Sequence, residues 1–213
     1  MTVCAAYFDK EGNCFLMADT SLWEGEILVS NNEIKIIDVE CVLSEPIQNV
    51  LKKDFNNYKL GAAFAGDAGP IYYIKHNWNR KVILNENDLK HAIDMIKVDL
   101  LKLLIDYYKE IKFKIAIIIV GYCLALNRSR IFTIYINTTR PEKEFKPDST
   151  VYAVIGEPSL LGYLPNQSEL TLNKLMNAVK LMRSDRIKVS APIKYGFIAD
   201  GTLNFEYMDE YKE

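Results

Sequence analysis

Thr2 carries a hydroxyl and, if Met1 is removed, a free α-amine on the same residue, which makes it a nucleophile with a built-in base. Such an amine has a reference pKa of roughly 7.7–8.0, so a good fraction is neutral near neutral pH. A neighbouring cation would favour the alkoxide and oppose protonation of the amine. Lys35, in Asn-Glu-Ile-Lys-Ile-Ile, is the candidate. Asp19, at the end of Phe-Leu-Met-Ala-Asp, is the candidate anion that keeps this lysine charged and oriented. Taken singly, Asp19 reads equally well as a turn-capping aspartate and Lys35 as a solvent-facing lysine. A developing oxyanion also needs backbone N–H donors where the chain can approach closely. Ala65-Gly66-Asp67-Ala68-Gly69 supplies them, reinforced by the dipole of the helix expected to follow. No Gly-Lys-Ser/Thr follows, so this is not a phosphate loop; taken alone it is an ordinary strand-to-helix turn.

The elements that must position these residues are strands first. Val3–Phe8 and Cys14–Ala18 flank a turn at Asp9–Asn13 and predict a hairpin. Ile27–Ser30 and Ile34–Val39 predict a second strand pair around Asn31-Asn32, and residues 40–58 a surface excursion. Leu60–Ala65 predicts a strand of small residues. The period then changes, and Ile71–Lys81 and Glu86–Lys112 read as helices, the second with Leu89, Ile93, Ile96, Leu100, Leu103, Leu104 and Tyr107 at three- and four-residue spacing. Phe113–Leu126 and Ile131–Ile136 read as strands across an Asn127-Arg-Ser-Arg turn, residues 137–149 as a polar loop, and Val151–Ile155 as a strand. An amphipathic helix through Leu172, Leu175, Met176, Val179 and Met182 precedes a closing hairpin, Ile193–Ala199 with Leu203–Tyr207. Strands in groups, rather than alternating with helices, predict mostly antiparallel sheets with helices packed outside.

Composition narrows the function classes. The 213 residues predict one domain, 1–213, and 49% hydrophobic residues are enough for a large core. With 26 Lys+Arg against 28 Asp+Glu, no basic surface for nucleic acid is expected. Cys4, Cys14, Cys41 and Cys123 never form Cys-x-x-Cys, and His76 and His91 lie far apart, so no metal and no cofactor are expected. The longest apolar stretch, Ile115–Leu126, has 12 residues, whereas a membrane-spanning helix needs roughly 20. A soluble, cytoplasmic protein with reduced thiols is expected. Cys4 is a rival nucleophile in principle, but as a strand residue with no His nearby it reads as packed core.

Met-Thr-x-Cys at 1–4, Asp19, Lys35, Phe64-Ala-Gly66 and its helix, Val120-Gly121-Tyr122, Tyr152-Ala-Val-Ile-Gly156 and the late Asp185 resemble, in order, proteasome β-type subunits. Ile155-Gly156-Glu157 with Gly162-Tyr163-Leu164, and Arg183–Pro192, look most like the bacterial Anbu branch; HslV-type peptidases are more distant. The resemblance covers nearly the whole chain, through short motifs whose order and spacing give it force. It implies an α+β N-terminal nucleophile hydrolase, a four-layer αββα sandwich with two mostly antiparallel sheets, assembling into a homo-oligomeric ring or spiral. Thr2 would be the nucleophile, tuned by Asp19 and Lys35, with Gly66 N–H in the oxyanion hole and Asp185 supporting the nucleophile. Trp23, Phe64 and Ala68 fall where the family lines its substrate pocket.

The chain also departs from the pattern. Residues 36–60 are longer than the usual link, Glu157 stands where a serine is common, Lys188 where a supporting serine is expected, and Trp23 where a small hydroxyl residue is common. Three readings follow: a threonine peptidase or amidase acting on peptides or unfolded polypeptides, a proteasome-like shell without peptidase activity, and a hydrolase of small amides on the same fold. Nothing in the sequence speaks for or against an ATPase partner.

Overall fold

The computed structural model describes residues 2–8, 12, 14–19, 22–24, 27–30, 35–45, 49, 59–84, 89–123, 128–138, 143–145, 153–156, 160–164, 172–185, 193–199 and 202–208. Thirteen strands and four helices are seen among them. The strands are β1 (Val3–Phe8), β2 (Cys14–Asp19), β3 (Leu22–Glu24), β4 (Ile27–Ser30), β5 (Ile36–Leu43), β6 (Lys59–Gly66), β7 (Lys81–Leu84), β8 (Ile115–Cys123), β9 (Arg128–Ile136), β10 (Lys143–Phe145), β11 (Ala153–Gly156), β12 (Ile193–Ala199) and β13 (Thr202–Met208). The helices are α1 (Ala68–Asn77), α2 (Leu89–Tyr108), α3 (Leu160–Tyr163) and α4 (Leu172–Ser184). Strands β3, β4, β12 and β13 are described by their backbones.

Two large sheets carry the fold. One runs β11-β1-β2-β12-β13 and the other β10-β9-β8-β6-β5-β7. All pairings are antiparallel except β5 with β7. Strand residues alternate between faces, and both faces of each sheet are covered. Cys4, Ala6, Leu16 and Ala18 of the first sheet meet Ala63, Ala65, Ile118 and Val120 of the second between the sheets. On the outer face of the second sheet, Leu60, Phe64, Ile117 and Ile119 pack against Ile93, Ile96, Leu100 and Leu104 of α2 and Ile74 of α1. On the outer face of the first, Val3, Ala5 and Met17 pack against Leu160 of α3 and Ala178, Val179 and Met182 of α4. The layers are therefore α1/α2, sheet, sheet, α3/α4: the expected four-layer αββα sandwich with mostly antiparallel sheets. Small residues between the sheets let β1 and β6 approach closely enough for the Cys4 thiol to meet Phe64 O at 3.4 Å.

Several local expectations are corrected. The strand at 27–30 does not pair with the one that follows it; β4 pairs with β3, while β5 pairs with β6 and β7. The ladder from Ile36↔Ala63 to Glu40↔Lys59 fixes β5 beside β6, and β5 runs on to Leu43, inside the expected surface excursion; the turn expected at Asn31-Asn32 lies outside the described residues. The helix expected over Ile71–Lys81 begins at Ala68 and ends at Asn77, and Lys81–Leu84 joins the sheet beside β5. Arg80, at φ 54°, redirects the chain between them. Arg128–Arg130 belongs to β9 rather than to a turn, and Lys143–Phe145, inside the expected polar loop, pairs with β9.

Candidate functional site

β1 begins immediately after Thr2, and its register sets that residue's surroundings: Val3 lies opposite Gly156 of β11, and Cys4 opposite Ala18 of β2. Asp19 closes β2, and its partner on the other side is Ile193, the first residue of β12. Asp19 Oδ1 accepts the Val3 N–H at 2.8 Å and the Lys35 ammonium at 2.7 Å. The same carboxylate oxygen thus joins the cation to the peptide that follows Thr2. Both partners are buried, Lys35 at 4% exposure and Asp19 at 1%. Lys35 stands just before β5, and its carbonyl accepts the Phe64 N–H of β6 at 3.2 Å.

This last bond also orients Gly66. Asp67 N–H, one residue beyond β6, donates to Lys114 O at 3.1 Å, on the β8 side. Amides alternate between the two edges of an antiparallel strand, so Gly66 N–H lies on the same side as that of Phe64, toward Lys35. Gly66 takes φ 134°, a conformation that costs a side-chain-bearing residue heavily, and a Cβ there would lie 2.2 Å from Lys114 O. Gly156 is as constrained: at φ 91°, its Cβ would lie 1.9 Å from Thr2 O. Glycine at 156 lets the backbone of half-buried Thr2 lie flush against β11. Asp67 does not cap α1 with its side chain; its Oδ2 instead accepts the Lys114 N–H at 2.8 Å, tying the glycine turn to the start of β8.

A cavity of about 650 Å³ opens beside this turn. Gly66 and Gly156 line it, and so do Lys114, Tyr135, Asn137 and Thr138 from the ends of β8 and β9. It reaches the candidate oxyanion donor on one wall and the glycine that backs Thr2 on the other. The four polar lining residues carry no sequence signal of a site; the start of β8 and the end of β9, neighbours in the sheet, bring them together.

The remaining candidates fall in different places. Ala68 is exposed in the first turn of α1. Phe64 is 1% exposed with its side chain in the core beneath α1 and α2, so the expected pocket-lining role does not fit its packing; it meets the site through its backbone. Trp23 is in β3, with its side chain outside the described residues, as are Glu157 and Lys188. Asp185 follows α4, and residues 186–192 link it to Ile193 beside Asp19, at the same end of the sheet as Thr2. Among the described residues its carboxylate takes a hydrogen bond from the Tyr163 hydroxyl and none from Thr2. Donating to Asp185 holds the Tyr163 phenol above its ordinary range, and partial desolvation and the carboxylate's charge act in the same direction.

Cys4, the rival nucleophile, is fully buried between the sheets. Burial pushes its thiol far above the ordinary thiol range; the Lys35 charge pulls against this and the Asp19 charge adds to it. A thiol held protonated is a poor nucleophile. Among the described residues no group of three or more His, Cys, Asp or Glu side chains is placed to hold a metal ion.

No protein-family model and no curated protein matches the chain. Among solved structures, it is similar to an Anbu (Gly-1) mutant from Hyphomicrobium sp. strain MC1, with a TM-score of 0.66 and 16% sequence identity over 97% of this chain and 87% of that one. The fold is proteasome-like. At that identity the likeness is one of fold, and any activity has to be argued from the side chains around Thr2.

Proposed function

We propose that the protein is an N-terminal threonine peptidase that acts once Met1 is removed, through an acyl ester on Thr2. The observation that carries this reading is the buried Asp19–Lys35 pair, whose shared oxygen also holds the Val3 N–H next to the candidate nucleophile. Desolvating two charges costs several kcal/mol for each ion, and a pair of well-packed apolar residues would commonly serve stability as well or better. A site that must keep an ammonium fixed beside a hydroxyl has a reason to bear that cost.

In this reading the neutral α-amine of Thr2 takes the hydroxyl proton as the oxygen attacks the substrate carbonyl carbon. The Lys35 charge favours the developing alkoxide and disfavours protonation of the amine. The carbonyl oxygen becomes an oxyanion and receives the Gly66 N–H. The adduct collapses: the C–N bond breaks, the amine's proton passes to the leaving nitrogen, and an ester on Thr2 remains. Water, losing its proton to the same amine, adds to that ester, releases the acid and regenerates the hydroxyl. With Met1 in place the Thr2 nitrogen is an amide and offers no base.

The cavity of about 650 Å³ beside Gly66 has room for a substrate side chain next to the scissile bond. Self-assembly into a ring or spiral and a cytoplasmic setting belong to the same proposal; sedimentation of the purified protein tests the assembly. The test of the activity is turnover of internally quenched peptides by protein lacking Met1, with loss of turnover expected in Thr2→Ala. A second reading, a shell without peptidase activity, is favoured by the engagement of Asp185 with Tyr163 rather than with Thr2. Absence of turnover from fully Met1-free, assembled protein would select it.

A further inference from the structure

The cavity between Gly66 and Gly156 has an uneven chemistry. Among the described residues, Lys114 is the one formally charged residue lining it, and no carboxylate does. The Lys114 backbone is fixed on both sides by Asp67, which donates its N–H to Lys114 O and accepts the Lys114 N–H with its side chain. Its side chain is exposed, and among the described residues no carboxylate lies within ion-pair distance of its ammonium. Asn137, at φ 54°, spends its amide N–H groups on Ile111 O and Phe113 O at 3.0 and 3.2 Å, which leaves its side-chain oxygen as an acceptor. Tyr135 and Thr138 add hydroxyls. Among the described residues, a cation with no carboxylate in ion-pair distance, an amide acceptor and the Tyr135 hydroxyl border a space that begins at the candidate oxyanion donor.

We propose that this cavity is a substrate subsite that selects an acidic residue close to the scissile bond, with Lys114 as its specificity-determining residue. The proposal rests on the peptidase reading for its substrate class. The backbone of the bound segment meets the Tyr135 hydroxyl and the Asn137 oxygen, while a Glu or Asp side chain meets the Lys114 ammonium. The pair forms in a partly open space, so its discrimination is that of a screened ion pair, roughly two- to fivefold.

The test uses C-terminally amidated peptides that differ only in carrying Glu, Gln or Lys beside the cleaved bond. Each is measured twice: kcat/KM on Met1-free protein, and the dissociation constant by fluorescence anisotropy on Thr2→Ala, which cannot turn over. The expected order is Glu over Gln over Lys in both assays, retained in Lys114→Arg, flattened in Lys114→Met and inverted in Lys114→Glu. Ordered binding without turnover would uphold the subsite and sink the peptidase reading. Turnover or binding with no charge order, or an order unmoved in Lys114→Glu, would overturn the subsite. Failure of all three peptides to bind or be cleaved would overturn both.

Discussion

Replacing one member of the Asp19–Lys35 pair should cost far more than replacing both. In Lys35→Met, the Asp19 carboxylate keeps the Val3 N–H at 2.8 Å but loses its ammonium at 1% exposure. In Asp19→Asn, an oxygen remains for Val3, and the Lys35 ammonium, at 4% exposure, loses its counter-ion. Breaking a buried pair from one side costs about 3–5 kcal/mol, because a desolvated charge is left uncompensated. Set against a total stability of about 5–15 kcal/mol, either single variant stands near the edge of folding. The neutral double variant, Asp19→Asn with Lys35→Met, leaves no uncompensated charge and should lie about 1–3 kcal/mol below wild type, the usual cost of imperfect buried hydrogen bonding. The coupling energy is then at least about 3 kcal/mol. Urea unfolding followed by circular dichroism measures all four proteins, at one fixed concentration because assembly shifts apparent stability. Single losses below about 1 kcal/mol that simply add in the double variant would mean that the pair behaves like a screened surface contact, and the electrostatic basis of the site would fail with it.

Other outcomes follow from the same geometry. Gly156→Ala places a Cβ against Thr2 O in a left-handed backbone and should cost about 1–3 kcal/mol from conformation alone, with a further loss of peptide turnover as Thr2 shifts; unchanged turnover would separate Gly156 from the site. Gly66→Ala forces a Cβ to within 2.2 Å of Lys114 O at φ 134° and should lower both stability and turnover; a variant as stable as wild type would contradict the strain. Burial, aided by the Glu40 charge, pushes the Cys41 thiol from 9.0 up to about 12. The unfolded chain therefore releases that proton first, so the contribution of Cys41 is complete below pH 9.0 and is lost as pH rises toward about 12. Alkaline unfolding should be shallower in Cys41→Ala, and an identical pH profile would contradict the burial. Iodoacetamide should label Cys4, Cys14 and Cys41 in urea but not in the native protein, since all three are buried.

Much of the scaffold was legible because its signals are local. The β1–β2 and β12–β13 hairpins join neighbouring apolar runs, and the α2 stripe repeats over 20 residues. The pairing of β5 was not legible, because its partners β6 and β7 come from later in the chain and no short-range turn announces them. β7 was hidden because Lys-Val-Ile-Leu continues the apolar spacing of α1 and differs from a last helical turn only through its contact with β5. Which way Phe64 points was equally hidden: β6 is covered on both faces, so no polar alternation marks the inner one. Thr2, Asp19, Lys35 and Gly66 could be picked out by chemistry, since each type has a distinct task in acyl transfer. Lys114, Tyr135, Asn137 and Thr138 could not, because a cavity built from strand ends leaves no spacing to read.

Thr2 itself is tested most directly by the mass of the assembled protein after exposure to a β-lactone, which acylates a hydroxyl nucleophile by ring opening. The account predicts a chain lacking Met1 that carries one adduct, mapped to Thr2 by peptide sequencing and lost in Thr2→Ala and Lys35→Met. A chain that retains Met1 in the assembled form, or a Met1-free chain that takes up no adduct at Thr2, would contradict it.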